Sequence, residues 1–376
     1  MISRMRISPN LGIVIASSFA TTFALYTIFR LLTPREDIVK SPREKQIRNL
    51  SSEEQDELPY PPDLLPGGRD VKTSYGTTRV YEWGPEDGRK VLFIHGISTP
   101  CIALSEIAHG LVAKGCRVLL FDLFGRGYSD SVDLPHDTRL YTTQILLAIT
   151  SSPIAWTPEG FSLIGYSLGG GIAAEFTVAF PDMVESLVLL APSGLLRSEH
   201  FGWQSRVMYS GLLPERLVEW IVKGRLGGRP AERPVMKMGS EDDSSLGDES
   251  KGNRDPIFES AVVVKSRPHI TVADVVAWQL EQHKGFVRSF VSSMMWGAIE
   301  GPRPWWKVLG ERKEKVLVIV GEKDAVISTD ELRVDVEEAI GKGRVQFVVV
   351  DGGGHEFPIT TPERVVRELS EFWGID

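Results

Sequence analysis

The chain has 376 residues, of which 42% are hydrophobic and 24% are charged, a composition typical of one large soluble domain with insertions or of two domains. Its 50 acidic and 42 basic residues give a net charge of −8, which argues against a nucleic-acid partner because phosphate binding needs a basic face. The two cysteines, Cys101 and Cys116, are too few for a disulfide framework or a four-thiolate zinc site.

An uncharged, largely apolar run occupies residues 11–29. At ~1.5 Å per helical residue it would be about 28 Å long, close to the apolar thickness of a bilayer. It predicts a single-pass membrane anchor within residues 1–32, and hence a membrane localisation. A secretory signal or a mitochondrial targeting segment is the alternative, because Arg4 and Arg6 precede the run and no acidic residue occurs before Glu36.

The rest of the chain is predicted to divide into a tether, a core and an insertion. Residues 33–69 are rich in Pro, Glu, Arg and Ser and are interpreted as a solvated tether without a core. Residues 70–194 and 315–376 alternate short β-branched runs with helix-length amphipathic stretches, which indicates an α/β fold with a mostly parallel sheet and helices on both faces. Residues 195–314 interrupt this alternation where one crossover helix would suffice, and they predict an inserted helical cap.

Most of the predicted strands are continuous apolar runs, as expected for strands that are buried on both faces. They lie at 78–83, 91–95, 117–121, 161–165, 186–190, 316–320 and 345–350. Helices are predicted at about 102–114, 138–150, 168–180, 329–341 and 361–373 in the core, and at about 203–223 and 270–299 in the insertion.

The insertion is rich in tryptophan and carries an acidic stretch. It contains six of the nine tryptophans, namely Trp203, Trp220, Trp278, Trp296, Trp305 and Trp306. That density indicates either an apolar lid over a pocket or the insertion's own core. Residues 239–251 have acids interleaved with Ser and Gly and almost no apolar side chain to bury, so this segment is predicted to be disordered.

The sequence Gly-Tyr-Ser-Leu-Gly at 165–169 follows a predicted strand and opens a predicted helix, which is the setting of a nucleophile elbow. A sharp turn there would expose the Ser167 hydroxyl, and the flanking glycines would let neighbouring segments approach closely. Ser167 is therefore the predicted catalytic nucleophile.

Two further strand ends carry the partners that a serine nucleophile needs. Asp324 and His355 each follow a predicted apolar strand, and the order Ser167, Asp324, His355 along the chain is the order expected of this arrangement. His355 would take the proton of Ser167, and Asp324 would fix the tautomer of the imidazole and stabilise its cation. Glu322 and Asp351 are weaker alternatives for the acid.

The loop after strand 91–95 is the predicted source of an oxyanion hole. It can present the backbone N–H of Ile97 to a developing oxyanion, and the N–H of Leu168 at the start of the next helix would be the second donor. His95, which opens this loop, is interpreted as a structural brace and not as the catalytic base.

With these residues in view, the chain resembles the α/β-hydrolase superfamily, specifically its branch of esterases and monoacylglycerol-lipase-like enzymes with a helical cap. The resemblance covers 70–194 and 315–376, and it includes the sequence Phe-Asp-Leu-Phe-Gly-Arg-Gly-Tyr-Ser-Asp at 121–130, similar to the family's loop after the third buried strand. It implies a serine hydrolase that cleaves a carboxylic ester through an acyl-Ser167 intermediate, without a metal or organic cofactor.

The substrate is a less direct inference. The predicted anchor and the tryptophan-rich cap favour an apolar ester, acylglycerol or another lipid-like ester, with a membrane as partner. A thioesterase and a carbon–carbon bond hydrolase use the same three residues and remain alternatives. A catalytically silent scaffold of the same fold is the alternative from another class of protein.

Overall fold

The structure is a computed structural model that describes residues 17–19, 21–26, 36–197, 201–227, 256–300 and 303–376. The chain divides into two compact units, Met1–Asp37 and Ile38–Asp376. The acidic stretch at 239–251, predicted to be disordered, lies outside the described residues.

The N-terminal unit corrects the prediction made for the apolar run. Its described residues are helical at 17–19 and 21–26. A helix needs about 20 apolar residues to cross a bilayer, and none in the described part of the chain is both long and apolar enough to do so. The prediction of a single-pass anchor, and of a membrane localisation based on it, is therefore contradicted.

The second unit is built on a central β-sheet. Its strands are β1 Ile38–Val39, β2 Arg69–Thr73, β3 Gly76–Trp83, β4 Lys90–Ile94, β5 Arg117–Phe121, β6 Ser131–Val132, β7 Phe161–Tyr166, β8 Val184–Leu190, β9 Val316–Gly321 and β10 Val345–Val350. Strands β1 and β6 form a separate antiparallel pair, and the other eight described strands form one sheet in the order β10-β9-β8-β7-β4-β5-β3-β2. The sheet is parallel from β10 to β5, and β3 and β2 join it antiparallel.

The helices flank this sheet and form the insertion. They are α1 Pro42–Lys45, α2 Ser52–Asp56, α3 Ser105–Ala113, α4 Thr138–Thr150, α5 Leu168–Ala179, α6 Trp203–Tyr209, α7 Glu215–Gly227, α8 Pro256–Ser260, α9 Val272–Gln282, α10 Phe286–Trp296, α11 Arg303–Gly310, α12 Thr329–Ile340, α13 Phe357–Thr360 and α14 Pro362–Trp373. Helices α3 and α14 pack together, and α4, α5, α11 and α12 pack in succession as another layer.

The predicted α/β class with a mostly parallel sheet is confirmed. All seven predicted strands are present as β3, β4, β5, β7, β8, β9 and β10, with ends shifted by at most two residues. Strand β2, which reads Arg-Asp-Val-Lys-Thr, was not predicted. Because β2 lies at the edge of the sheet and is partly exposed along its length, it lacks the apolar run that marks a central strand.

Part of the segment predicted as a solvated tether packs against the core. Ile47, Tyr60 and Leu65 are buried. The hydroxyl of Tyr60 donates to the buried carboxylate of Asp122, with 3.2 Å between the oxygens. A few apolar side chains within residues 47–65 thus pack against the core, although the composition of the segment is polar.

The tryptophans of the insertion have two different roles. Trp278 and Trp306 are buried, whereas Trp203, Trp220, Trp296 and Trp305 are 43% to 73% exposed. Trp278 packs edge-on against the ring of Tyr128. Neither a lid nor an internal core accounts for all six, and the predicted boundaries of the cap at 195 and 314 stay predictions.

Candidate active site

Ser167 lies in the turn between β7 and α5, with φ of 54° and ψ of −118°. A backbone like this costs a non-glycine residue ~1–3 kcal/mol and persists only where the surroundings impose it. Here the Ser167 N–H donates to the carbonyl of Leu190 at 2.9 Å, and the Ser167 carbonyl accepts from the N–H of Ser193 at 3.0 Å. The end of β8 therefore holds the strained turn in place.

The two glycines of the elbow are required by space. A Cβ on Gly165 would lie 2.2 Å from the carbonyl oxygen of Gly169, and a Cβ on Gly169 would lie 2.2 Å from the carbonyl oxygen of Ile94. Both contacts are with backbone, which cannot rotate away as a side chain can. Only glycine lets the strand, the helix and β4 approach this closely around Ser167.

The structure brings the three predicted side chains into one hydrogen-bonded chain. The Nε2 of His355 lies 3.1 Å from the Oγ of Ser167, and its Nδ1 lies 2.8 Å from the Oδ2 of Asp324. The other Asp324 oxygen accepts the N–H groups of Val326 and Ile327, both at 2.8 Å. Because a carboxylate can only accept, Nδ1 carries the proton and Nε2 presents its lone pair to Ser167. The side chain of Asp324 is fully buried and that of His355 is 7% exposed.

The alternative acids lie elsewhere on the same rim. Glu322 accepts the N–H of Gly352 at 2.8 Å, and so ties down the loop that carries His355. Asp351 is exposed.

Tyr166, which was not among the predicted site residues, contacts the loop of the catalytic histidine. Its hydroxyl donates to the carbonyl of His355 at 2.9 Å. Tyr166, the residue directly before the nucleophile, thus supports the backbone of His355.

His95 has the bonding pattern of a brace. Its Nε2 lies 2.8 Å from the N–H of Leu123, which can only donate, so the proton sits on Nδ1 and is donated to the carbonyl of Gly96, 2.8 Å away. Burial, with a smaller contribution from the Arg126 charge, lowers the pKa of His95 to about 3. The imidazole is therefore neutral at physiological pH, with both nitrogens bonded to backbone.

The predicted oxyanion donors, the N–H groups of Ile97 and Leu168, belong to segments that adjoin Ser167. His95 holds the Gly96 carbonyl, and in a trans peptide the N–H of Ile97 points the opposite way. A Cβ on Gly96 would be 3.4 Å from the Cβ of Ser167, which places this loop against the nucleophile. Leu168 is the first residue of α5, where a backbone N–H has no partner within the helix.

The family model described as the alpha/beta hydrolase family matches residues 91–368, and the chain therefore belongs to that family. A serine hydrolase-like protein of Dictyostelium discoideum is 31% identical over 136 residues, which are 35% of this chain and 37% of that protein. A serine hydrolase-like protein of Danio rerio is 30% identical over 151 residues, which are 38% of this chain and 45% of that protein. The matches thus span less than half the length of these curated relatives.

Solved structures are similar over more of the chain. An esterase from Thermogutta terrifontis has a TM-score of 0.56 at 16% identity, covering 82% of this chain and 98% of its own. A membrane phospholipase A described as a bacterial virulence factor has a TM-score of 0.55 at 16% identity, covering 97% of both chains. At this identity the likeness shows the fold alone, and the monoacylglycerol-lipase-like branch stays a prediction.

Proposed function

We propose that the protein is a serine hydrolase that cleaves an apolar carboxylic ester through an acyl-enzyme intermediate. The observation that carries the proposal is the hydrogen-bonded chain that runs from Ser167 through His355 to the buried carboxylate of Asp324. The strained turn at Ser167 supports it, because such strain is typical of functional sites and needs a surrounding structure to maintain it.

Each group has a role in the proposed mechanism. His355 Nε2 accepts the hydroxyl proton as Ser167 Oγ attacks the ester carbonyl, and Asp324 stabilises the imidazolium that forms. The N–H groups of Ile97 and Leu168 donate to the oxyanion of the tetrahedral intermediate. His355 then gives its proton to the departing alkoxide, which leaves the acyl group on Ser167. A water molecule, deprotonated by the same imidazole, then attacks the acyl carbon. The bond from this carbon to Ser167 Oγ breaks, His355 returns the proton to Oγ, and the carboxylic acid is released.

An aromatic ring from the insertion favours an apolar substrate. The ring of Phe258, on α8, has its centroid 6.1 Å from that of the His355 imidazole, at a tilt of 37°. An acyl or alkyl group bound at Ser167 would meet apolar surface on this side. Acylglycerol or another lipid-like ester is accordingly the substrate class that we favour.

The test is the loss of turnover on removal of each catalytic group. Ser167→Ala, His355→Ala and Asp324→Asn should each lower kcat on p-nitrophenyl esters by at least ~10³-fold while the protein stays folded, because the three residues act as a unit. Asp351→Asn is the matched control, since it removes an exposed carboxylate four residues before His355, and it should keep kcat within about twofold. Near-normal turnover in Ser167→Ala would refute the mechanism.

Two further measurements separate the proposal from two of its alternatives, the silent scaffold and the thioesterase. A fluorophosphonate probe should label the wild-type protein and fail to label Ser167→Ala; a wild-type protein that neither reacts nor turns over any ester would be a silent scaffold. Parallel assays on oxygen esters and thioesters of two to sixteen acyl carbons compare ester with thioester hydrolysis. If kcat/KM is higher on the thioester at every chain length, the protein is a thioesterase and the ester assignment is wrong.

A further inference from the structure

Three successive carbonyls of the oxyanion loop, the loop that follows β4, each accept a hydrogen bond from a side chain. The Gly96 carbonyl accepts from His95 at 2.8 Å, the Ile97 carbonyl accepts from the Nε of Arg126 at 3.0 Å, and the Ser98 carbonyl accepts from the Nε2 of Gln279 at 2.8 Å. The Gly96 carbonyl shares its peptide group with the Ile97 N–H, and the Ile97 and Ser98 carbonyls belong to the next two peptide groups. Holding all three fixes the path of the loop beside Ser167.

Gln279 is the member of this group that belongs to the insertion. It lies on α9 and is fully buried. Its Oε1 accepts the N–H of Gly127 at 3.0 Å while its Nε2 donates to Ser98. Because the Gly127 N–H can only donate and the Ser98 carbonyl can only accept, these partners fix the orientation of the amide. One side chain thus joins the insertion to two core loops.

Arg126 connects the same loop to a second helix of the insertion. Its guanidinium is fully buried, and it donates to the Phe124 carbonyl at 3.0 Å and to the Oγ of Ser293 on α10 at 2.9 Å. Ser293 Oγ also lies 2.6 Å from the hydroxyl of Tyr141 and donates to the Ser289 carbonyl at 2.7 Å. This hydroxyl therefore accepts two hydrogen bonds and donates one, which is its full capacity.

We propose that Gln279 is a positioning residue for the oxyanion loop, so that the alignment of the loop beside Ser167 depends on α9 lying on the core. Removing the Gln279 amide leaves the Ser98 carbonyl and the buried Gly127 N–H without a hydrogen bond, and the loop must move to satisfy them. The kinetic consequence rests on the proposed function, because it follows from weaker stabilisation of the oxyanion. The structural consequence, a looser loop, does not.

The test is Gln279→Leu, which keeps the size of the side chain and removes both hydrogen bonds. We expect kcat on a p-nitrophenyl ester to fall about 10-fold to 30-fold with KM within twofold, since oxyanion donors act on the transition state. The inhibition constant of a trifluoromethyl ketone, whose adduct with Ser167 carries the oxyanion, should rise by the same factor. Hydrogen exchange in a peptide covering 95–104 should be at least threefold faster.

Ser292→Ala is the matched control. Ser292 lies on α10 and, like Gln279, joins the insertion to the core, but its hydrogen bond is with the N–H of His136, at 3.0 Å, and not with the oxyanion loop. We expect turnover, inhibition and exchange at 95–104 to stay within twofold of wild type. If Gln279→Leu does not fold, Gln279→Asn provides the same comparison, because its shorter amide cannot reach both Ser98 and Gly127.

The outcomes distinguish a failure of the positioning role of Gln279 from a failure of the proposed function. A folded Gln279 variant with kcat and loop exchange within twofold of wild type would overturn the positioning role, as would an equal loss in Ser292→Ala, which would indicate general loosening of the insertion. If the wild-type protein has no hydrolytic activity, the proposed function fails, and the exchange measurement alone decides whether Gln279 holds the loop.

Discussion

Acid should destabilise the folded protein through three histidines that are buried without charge. Burial lowers the pKa of His95 and of His136 to about 3 and that of His283 to about 4, and the nearby Arg126 charge adds to each effect. The bonding of His283 also suits the neutral form, because its Nδ1 accepts the N–H of Gly285 and its Nε2 donates to the carbonyl of Ser129.

The sign and size follow from proton linkage. An imidazole has an ordinary pKa of 6.5, so below this pH the unfolded chain binds protons that these histidines do not bind in the folded chain. Stability that is fully present above pH 6.5 is therefore lost as the pH falls towards 3 or 4. Between pH 7.5 and 5 each histidine should cost about 2 kcal/mol, or about 6 kcal/mol for the three, a large share of the 5–15 kcal/mol that stabilises a typical domain.

The assay is urea unfolding of wild type and of His136→Gln at pH 8, 7.5 and 5. His136 is outside the catalytic group, and glutamine does not titrate. The pH 8 values give the pH-independent cost of the substitution. From pH 7.5 to 5 the variant should lose about 2 kcal/mol less of its free energy of unfolding than wild type does.

The comparison with the variant is needed because other groups act in the opposite direction. Burial raises the pKa of Asp122 and of Glu175, so these carboxyls favour the folded state as the pH falls. They are the same in both proteins and cancel in the difference. If wild type and His136→Gln lose the same free energy between pH 7.5 and 5, His136 is not held neutral and the reasoning is wrong.

The part of the site that the sequence revealed is the part attached to buried parallel strands. Ser167 follows β7, Asp324 follows β9 and His355 follows β10, and the carboxyl ends of these parallel strands lie on one edge of the sheet. Each strand is a continuous apolar run, so its end can be read from the sequence, and a polar residue just beyond it is expected at that edge.

The support around the oxyanion loop could not be read in the same way. Gln279 and Ser293 occupy positions in amphipathic helices, where a polar residue ordinarily marks the solvent face. Arg126 stands in a loop, yet it is fully buried. Most of their hydrogen-bond partners lie far away in the sequence, and no local pattern predicts such contacts. Tyr60, in the predicted tether, was missed for the same reason.

Substitutions at Gly169 and at Ser167 test the backbone of the elbow. Gly169→Ala should destabilise the protein by about 2 kcal/mol or more in urea unfolding and abolish fluorophosphonate labelling. The added Cβ would lie 2.2 Å from the Ile94 carbonyl oxygen, and only a shift of the backbone can relieve this contact. A free energy of unfolding equal to that of wild type would contradict this prediction. Ser167→Gly and Ser167→Ala both remove the nucleophile, but only glycine adopts the φ of 54° without strain. The Gly variant should therefore be more stable than the Ala variant by about 1 kcal/mol, although glycine is ordinarily the less stable of the two within a helix or strand. Equal or lower stability of Ser167→Gly would mean that the turn stores no strain.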